Sequence, residues 1–315
     1  DPSHRLDQVY NALYDRWAAA HIEPADLFFV WAGFALRSLS RARQVCPRCV
    51  VQCASAHPRY QWELMRKEYG RWGVPLRVST FGLERTAAEF ALADRVLVPS
   101  EFAWRTFLAC GHPPDRLLLS PFGVDAARFR PAAPRGERPF TVLFLGRVAL
   151  GKGIPYLLEA WRRLGWRDAE LRLVGAVQAD YAAAFRGMVA GLPGVRVVGH
   201  VADPVPHYQQ ADLFAFPTLH EGSALVALEA LACGLPVVTT DNAGSAVRDG
   251  QEGLIVPIRD AEALAAALDR LRADVPLRAA MSDAARQRAE AYTWERSEEA
   301  FVRALADLLP DAGLP

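Results

Sequence analysis

Lysine is nearly absent from this 315-residue chain: Lys67 and Lys152 are the only two, and every other basic residue is arginine. Such a bias points to genome composition, and it makes a retained lysine worth following. No apolar run reaches the roughly 20 residues of a membrane span. The N-terminus lacks the charged-then-apolar pattern of a secretory signal, so a cytoplasmic protein is expected. The five cysteines have no regular spacing and make no disulfide framework. Cys46 and Cys49 form a C-x-x-C with Cys53 nearby, but no second pair completes a zinc set. No Asp-x-Asp occurs, so a metal held by paired acids on a diphosphate is not indicated, and no cofactor is expected. Neither G-x-G-x-x-G nor a Walker A sequence is present, which argues against NAD and ATP.

What is present is a folded chain: 51% of its residues are apolar and its length allows two cores. The proline- and charge-rich stretch Pro131–Pro139 reads as a linker. Beyond it, strands are expected at Thr141–Leu145, Glu170–Val174, Val195–Gly199, Leu213–Phe216, Pro236–Thr239 and Gly253–Val256. Helices are expected at Ile154–Leu164 and Ala179–Ala190. Short apolar runs alternating with helical patterns indicate a parallel sheet covered on both faces. The first half opens on an amphipathic helix carrying Leu6, Val9, Tyr10, Leu13 and Trp17 at helical spacing. Strands follow at Leu27–Trp31, Val50–Cys53, Arg95–Pro99 and Leu117–Ser120, and Trp294–Leu309 makes a last amphipathic helix. The expectation is therefore an α/β protein of two Rossmann-like domains facing a cleft, with ligands outside the carboxyl ends of the strands.

Two constellations could carry chemistry. In Phe144–Gly153 an apolar strand runs into a loop holding Gly146, Arg147, Gly151, Lys152 and Gly153, and a helix follows. Glycines allow close approach, free N–H groups at a helix start favour an anion, and arginine can clamp a phosphate with two parallel bonds. A diphosphate fits this loop; so does an ordinary solvated turn. The second constellation joins a strand to a helix through Phe216-Pro-Thr-Leu-His-Glu-Gly-Ser-Ala, with Glu221 before the first turn and Glu229 inside it. Glu221 could serve only to complement the helix dipole. Glu229 stands in Leu225-Val-Ala-Leu-Glu-Ala-Leu-Ala, where a carboxylate is costly unless it meets a donor, either a ligand or a core arginine. Eight helical residues rise about 12 Å, enough to separate contacts at the two ends of a nucleotide diphosphate-sugar.

These blocks resemble the donor domain of the retaining group-1 glycosyltransferases (family 4), which have the two-Rossmann GT-B fold. The matching pieces are FLGRVALGKG, LRLVG, VRVVGHV, ADLFAFPTLHEGSALVALEALACGLPVVTTDNAGSAVRDGQEGLIVP and the final TWER, in the family's order. ADRVLVPSEF and PFGVDAARFRP extend the match. The resemblance implies a domain of residues 1–136 on the acceptor side, a donor domain of 137–293, and a C-terminal helix, 294–315, packing back on the first. It implies that Gly146, Arg147 and Lys152 hold the donor diphosphate, that Arg147 and Lys152 neutralise the leaving group, and that Glu229 holds the ribose. Glu221 would contact the donor sugar, the backbone of Gly222, Ser223, Ala224 and Leu225 would hold sugar and phosphate, and His200 and Val201 would lie against the base. His57, after a strand of the first domain, would face the transferred sugar; a satisfied loop histidine is the alternative. Glu221, Arg147, Lys152 and His57 are thus the expected catalytic group.

The reaction implied is transfer of a sugar from a UDP-, GDP- or ADP-sugar to a sugar, lipid or small-molecule acceptor, by metal-independent front-face attack with retention. No protein nucleophile is required, so Glu221 and Glu229 are positioning groups and not a glycosidase pair. The chain departs from the family at its start, where the first strand and glycine-rich loop are missing, which implies an incomplete acceptor half. A non-catalytic nucleotide-sugar-binding module or a nucleotide-sugar epimerase on the same fold are the competing readings. From Arg37 to Arg77 nine basic residues face only Glu63 and Glu68, with Tyr60, Trp62, Tyr69 and Trp72 among them. That segment fits either peripheral contact with an anionic membrane or a solvated helix face. No recognition motif accompanies the charge, so nucleic acid is not expected.

Overall fold

Short β-branched and leucine-rich runs, buried in the inner strands and partly exposed at the edges, build two all-parallel sheets. The computed structural model describes residues 2–76, 81–132, 136, 138–306, 308 and 309, with side chains from residue 9 onward except at 81. Leu6's side chain, Arg77, linker residues 133–135 and 137, and C-terminal residues 307 and 310–315 lie outside the described residues. Two compact units divide the chain: Asp1–Arg66, Leu76–Pro121 and Glu298–Pro315 form the first, and Lys67–Pro75 with Phe122–Ser297 the second. The division after Pro121 precedes the proline-rich stretch. The reason is that Phe122–Pro131 is bound to the second unit: Val124 N–H donates to Tyr292 O (2.8 Å), and Arg286 Nη1 donates to the carbonyls of Ala126 and Phe129 (3.0 Å each).

The first unit runs α1 (Pro2–Ala20), β1 (Phe28–Trp31), α2 (Leu36–Val45), β2 (Cys49–Gln52), α3 (Pro58–Arg71), α4 (Phe81–Leu92), β3 (Arg95–Val98), α5 (Glu101–Ala109) and β4 (Leu117–Leu119), with the end of α3 grouped in the second unit. Its strands lie in the order β1-β2-β3-β4. Cys46, Cys49 and Cys53 belong to its apolar core with Leu39, Val51, Val96 and Phe107. Burial pushes the Cys49 and Cys53 thiols up to about 11, so they pack as small apolar side chains. α1 is oriented against expectation. Val9, Tyr10, Leu13 and Trp17 are exposed, and among the described side chains of this helix the buried one is Asp15. The Asp15 carboxylate accepts from the N–H groups of Arg37 (2.9 Å) and Ser38 (2.8 Å) at the start of α2, and from Arg85 (2.6 Å). A polar cap on the next helix, not the apolar stripe, anchors α1.

The second unit runs β5 (Phe140–Leu145), α6 (Ile154–Leu164), β6 (Ala169–Val174), α7 (Ala182–Val189), β7 (Val195–Gly199), α8 (Val205–Gln209), β8 (Leu213–Phe216), α9 (Leu225–Ala232), β9 (Val237–Thr239), β10 (Gly253–Ile255), α10 (Ala261–Ala273) and α11 (Val275–Glu290). α12 (Trp294–Ala306) begins in this unit and from Glu298 groups with the first, where Phe301 packs edge-on against Phe29 (5.3 Å). The sheet order is β10-β9-β8-β5-β6-β7. From β5 the chain winds outward through β6 and β7, then returns to the other side of β5 for β8, β9 and β10. The direction of winding therefore reverses between β5 and β8, the position at which open sheets of this kind bind ligands. No helix among the described residues is long and apolar enough to cross a membrane.

Candidate functional site

Both sequence constellations leave strands at this reversal, the first after β5 and the second after β8. Leaving β5, the chain pairs Val148 with Val177 in an isolated parallel bridge, and Val148 N–H donates to Ala176 O (2.9 Å). Leu150–Lys152 makes one tight turn, and Gly153 (φ 71°) passes into α6. A β-carbon on Gly153 would overlap the Pro217 carbonyl oxygen, so only glycine lets the two loops touch. They are stitched further by Leu219 N–H to Gly151 O (2.9 Å) and by Thr218 Oγ1, 3.1 Å from the same carbonyl.

The loop after β8 is clamped from below. Thr239 Oγ1 donates to Phe216 O (2.8 Å), Thr240 Oγ1 to Thr218 O (2.6 Å), and Asn242 Nδ2 to Leu219 O (2.7 Å). In return Glu221 N–H donates to Asn242 O (2.9 Å) and Ala224 N–H to Ala243 O (3.1 Å). Ala224 N–H is therefore engaged within the protein, which narrows the backbone cradle expected over Gly222, Ser223, Ala224 and Leu225.

The side chains divide into paired and unpaired. Lys152 Nζ is ion-paired with Glu221 Oε1 and lies 5.9 Å from the centre of the Phe216 ring. Thr218 Oγ1 is 3.2 Å from the same carboxylate oxygen. Arg147 is exposed and has no ion pair among the described residues. His220 is next to this group. Burial, reinforced by the Lys152 charge, holds its imidazole down to about 4, and its Nδ1 is buried without a hydrogen-bond partner among the described residues. One turn into α9, Glu229 has its carboxyl pushed up by burial; a hydrogen bond from Tyr208 (Oη to Oε2, 2.7 Å) and the Arg128 charge oppose the shift. His200 is exposed just beyond β7, with Val201 half-buried, and Gly175 N–H to Gly199 O (2.7 Å) ties that strand end to the loop after β6.

The second unit thus brings together Gly146, Arg147, Lys152, Glu221–Leu225 and Glu229 around the end of β5 and β8, with His200 and Val201 further along the same sheet edge. His57 belongs to the first unit. There its N–H donates to Thr106 Oγ1 (2.9 Å) and its Nδ1 accepts from Arg59 N–H (3.2 Å), which places the proton of the neutral ring on Nε2. The ring packs edge-on against Phe107 (4.8 Å); burial, then His112 and Arg59, hold it down to about 4. It lines a cavity of about 590 Å³ with Trp62, Glu63, Phe90 and His112. In the basic segment most of the described arginines are exposed but the aromatic residues are largely engaged. Tyr69 is buried with its hydroxyl on Asp180 (3.1 Å), Trp72 donates to Glu68 (2.8 Å), and Tyr60 packs edge-on against Phe102 (5.9 Å). Arg66 covers Trp62 at 5.6 Å.

Residues 139–274, which hold both loops, His200, His220, Tyr208 and Glu229, match the family described as glycosyl transferases group 1. The D-inositol 3-phosphate glycosyltransferase of Geodermatophilus obscurus is 35% identical over 253 residues, covering 72% of this chain and 55% of that protein. Its counterpart in Actinosynnema mirum is 30% identical over 283 residues, covering 74% and 67%. The chain belongs to the group 1 glycosyltransferases. It spans 55–67% of the length of these two curated relatives. Among solved structures, Anabaena Alr3699/HepE in complex with UDP superposes with a TM-score of 0.75 at 17% identity, covering 94% of this chain and 82% of that one; the fold is GT-B. Within this group 1 chain, sequence reasoning missed Thr218, Thr239, Thr240, Asn242, His220 and Tyr208. The T-T-D-N run after β9 carried a usable signal, since hydroxyl and amide side chains at the end of a buried strand need acceptors. Tyr208 carried none beyond being an aromatic residue before a strand.

Proposed function

We propose that the second unit binds a nucleotide diphosphate-sugar between the loops after β5 and β8, and that the protein transfers the sugar with retention of anomeric configuration. The observation that carries this reading is the pairing pattern at the winding reversal: an exposed Arg147 with no ion pair among the described residues, a lysine held on Glu221, and a second carboxylate, Glu229, eight residues further on. A diphosphate arriving at this point meets Arg147 as a bidentate partner and Lys152 as a point charge that exchanges one anion for another. Glu221, released from Lys152, becomes an acceptor for hydroxyls of the donor sugar, and Glu229 accepts from the ribose.

In the reaction the acceptor hydroxyl approaches the anomeric carbon on the face from which the diphosphate leaves. The anomeric C–O bond breaks with its electron pair passing to the phosphate oxygen, which takes the acceptor's proton as the new glycosidic bond forms. Arg147 and Lys152 stabilise the charge growing on that oxygen, so this reading requires neither metal nor protein nucleophile. Relatives named D-inositol 3-phosphate glycosyltransferases direct attention to a phosphorylated polyol as acceptor. Turnover of radiolabelled UDP-, GDP- and ADP-sugars, with and without inositol phosphates and with EDTA present, tests the proposal. A labelled glycoside formed only with acceptor is expected; failure of all three nucleoside diphosphates to raise the melting temperature refutes it.

A further inference from the structure

Glu229 is held from below by a residue outside every motif. Tyr208 stands on α8 with its side chain fully buried, edge-on to Phe129 (5.8 Å) and tilted against Phe214 (5.7 Å). This packing leaves the ring little freedom. Its hydroxyl donates to Glu229 Oε2 at 2.7 Å and lies 3.2 Å from the Val226 carbonyl. Among the described residues, Glu229 Oε1 has no hydrogen-bond partner. One carboxylate oxygen is thus fixed to a rigid phenol, while the other remains an acceptor on a half-buried side chain.

A carboxylate with one anchored oxygen presents its second oxygen in one direction, with two lone pairs available to O–H donors. Such an acceptor suits two neighbouring hydroxyls, and loses part of its interaction with a ligand that carries only one of them. We propose that Tyr208 is the positioning residue that aims Glu229 at a vicinal diol and so makes the site select ribonucleotides over 2′-deoxyribonucleotides. This rests on the donor-site reading above.

The charge state follows the same geometry. The titratable and charged groups around Glu229 are Tyr208 from α8, Arg128 from the segment before β5, and Cys233 at the end of its own helix. Burial raises the Glu229 carboxyl, while the Tyr208 hydrogen bond and the Arg128 charge favour its ionised form. Removing the phenol hydroxyl therefore both frees the carboxylate and raises its pKa further. The resulting loss of ribonucleotide affinity is greatest at acid pH and shrinks as pH rises.

The test is calorimetric titration of the full chain with UDP, GDP and ADP and their 2′-deoxy forms. For the diphosphate that binds, wild type is expected to prefer the ribo form about tenfold. In Tyr208→Phe the preference falls to about threefold or less, because ribo binding weakens more than deoxy binding. Glu229→Gln should abolish the preference. If Tyr208→Phe weakens both forms equally, or leaves the ratio at its wild-type value, Tyr208 does not aim Glu229 and the proposal falls. Should that variant not fold, 3-fluorotyrosine at position 208 keeps the ring and strengthens the donor. The pH at which ribonucleotide affinity is lost should then move down, and an unmoved profile overturns the proposal. If no diphosphate binds wild type, the donor-site reading itself fails and the assignment with it.

Discussion

Arg147 and Lys152 share one loop but not one electrical state. Lys152 is neutralised by Glu221, whereas Arg147 is exposed with no ion pair among the described residues. An exposed, unpaired arginine contributes little to folding, so its removal should act on ligand alone. Arg147→Ala is expected to weaken donor binding about tenfold or more, the worth of a charge-assisted bond, while moving stability by no more than about 0.5 kcal/mol. Paired calorimetric titration and thermal melting check this. A large drop in melting temperature would mean that the arginine is structural.

At the scale of elements, the site depends on two loops that touch because one residue has no side chain. Gly153 and Gly165 both have positive φ (71° and 61°), but only at Gly153 would a β-carbon overlap neighbouring backbone. Gly165→Ala should cost about 1 kcal/mol of conformational strain. Gly153→Ala should cost several times more, on the order of 3 kcal/mol, and abolish donor binding, because the loop must leave Pro217. Urea melts of the two variants separate the effects. A comparable test applies to α1, whose anchor is a buried carboxylate. Asp15→Ala strands Arg85 and the first N–H groups of α2 and should destabilise the first unit by about 3 kcal/mol. Tyr10→Ser, on the exposed stripe of the same helix, should change stability by less than about 0.5 kcal/mol. Equal effects would show that the apolar stripe, not the cap, holds the helix.

At the scale of the whole molecule, each unit contains a histidine that burial holds down to about 4 from an ordinary value of 6.5: His57 in the first and His220 in the second. A histidine with a depressed folded pKa contributes stability in full above pH 6.5. That contribution is lost as pH falls from 6.5 toward 4, because the unfolded chain binds the proton first. Glu89 and Glu229, whose carboxyls burial raises, act in the opposite sense, so the informative quantity is a difference between chains. His57→Gln should lose less stability than wild type between pH 7 and pH 4, by on the order of 2 kcal/mol. Identical slopes in denaturant melts across that range would show that His57 is not neutral by burial.

What the chain declares locally could be read without a structure. Strand positions follow from short apolar runs between glycines and prolines, and Val195–Gly199, Leu213–Phe216 and the helix Ile154–Leu164 were legible to the residue. Arg147 with Lys152, and Glu221 with Glu229, were legible as two separate pairs, because each spacing at a strand-to-helix turn is a property of contiguous sequence; that Lys152 meets Glu221 comes from the fold. The first helix was legible as a helix but not in its orientation: periodicity records that a stripe exists, and only packing decides whether Asp15 or the stripe faces inward. Only the folded sheet brings Tyr208 to Glu229, Thr240 to Thr218 and the Gly151 carbonyl to Leu219, since these partners leave different strands and meet through the crossover order of the sheet. Spacing along the chain encodes periods of two and 3.6 residues. Which side chains end up facing one another across loops is settled by close packing and by the need of buried polar groups for partners.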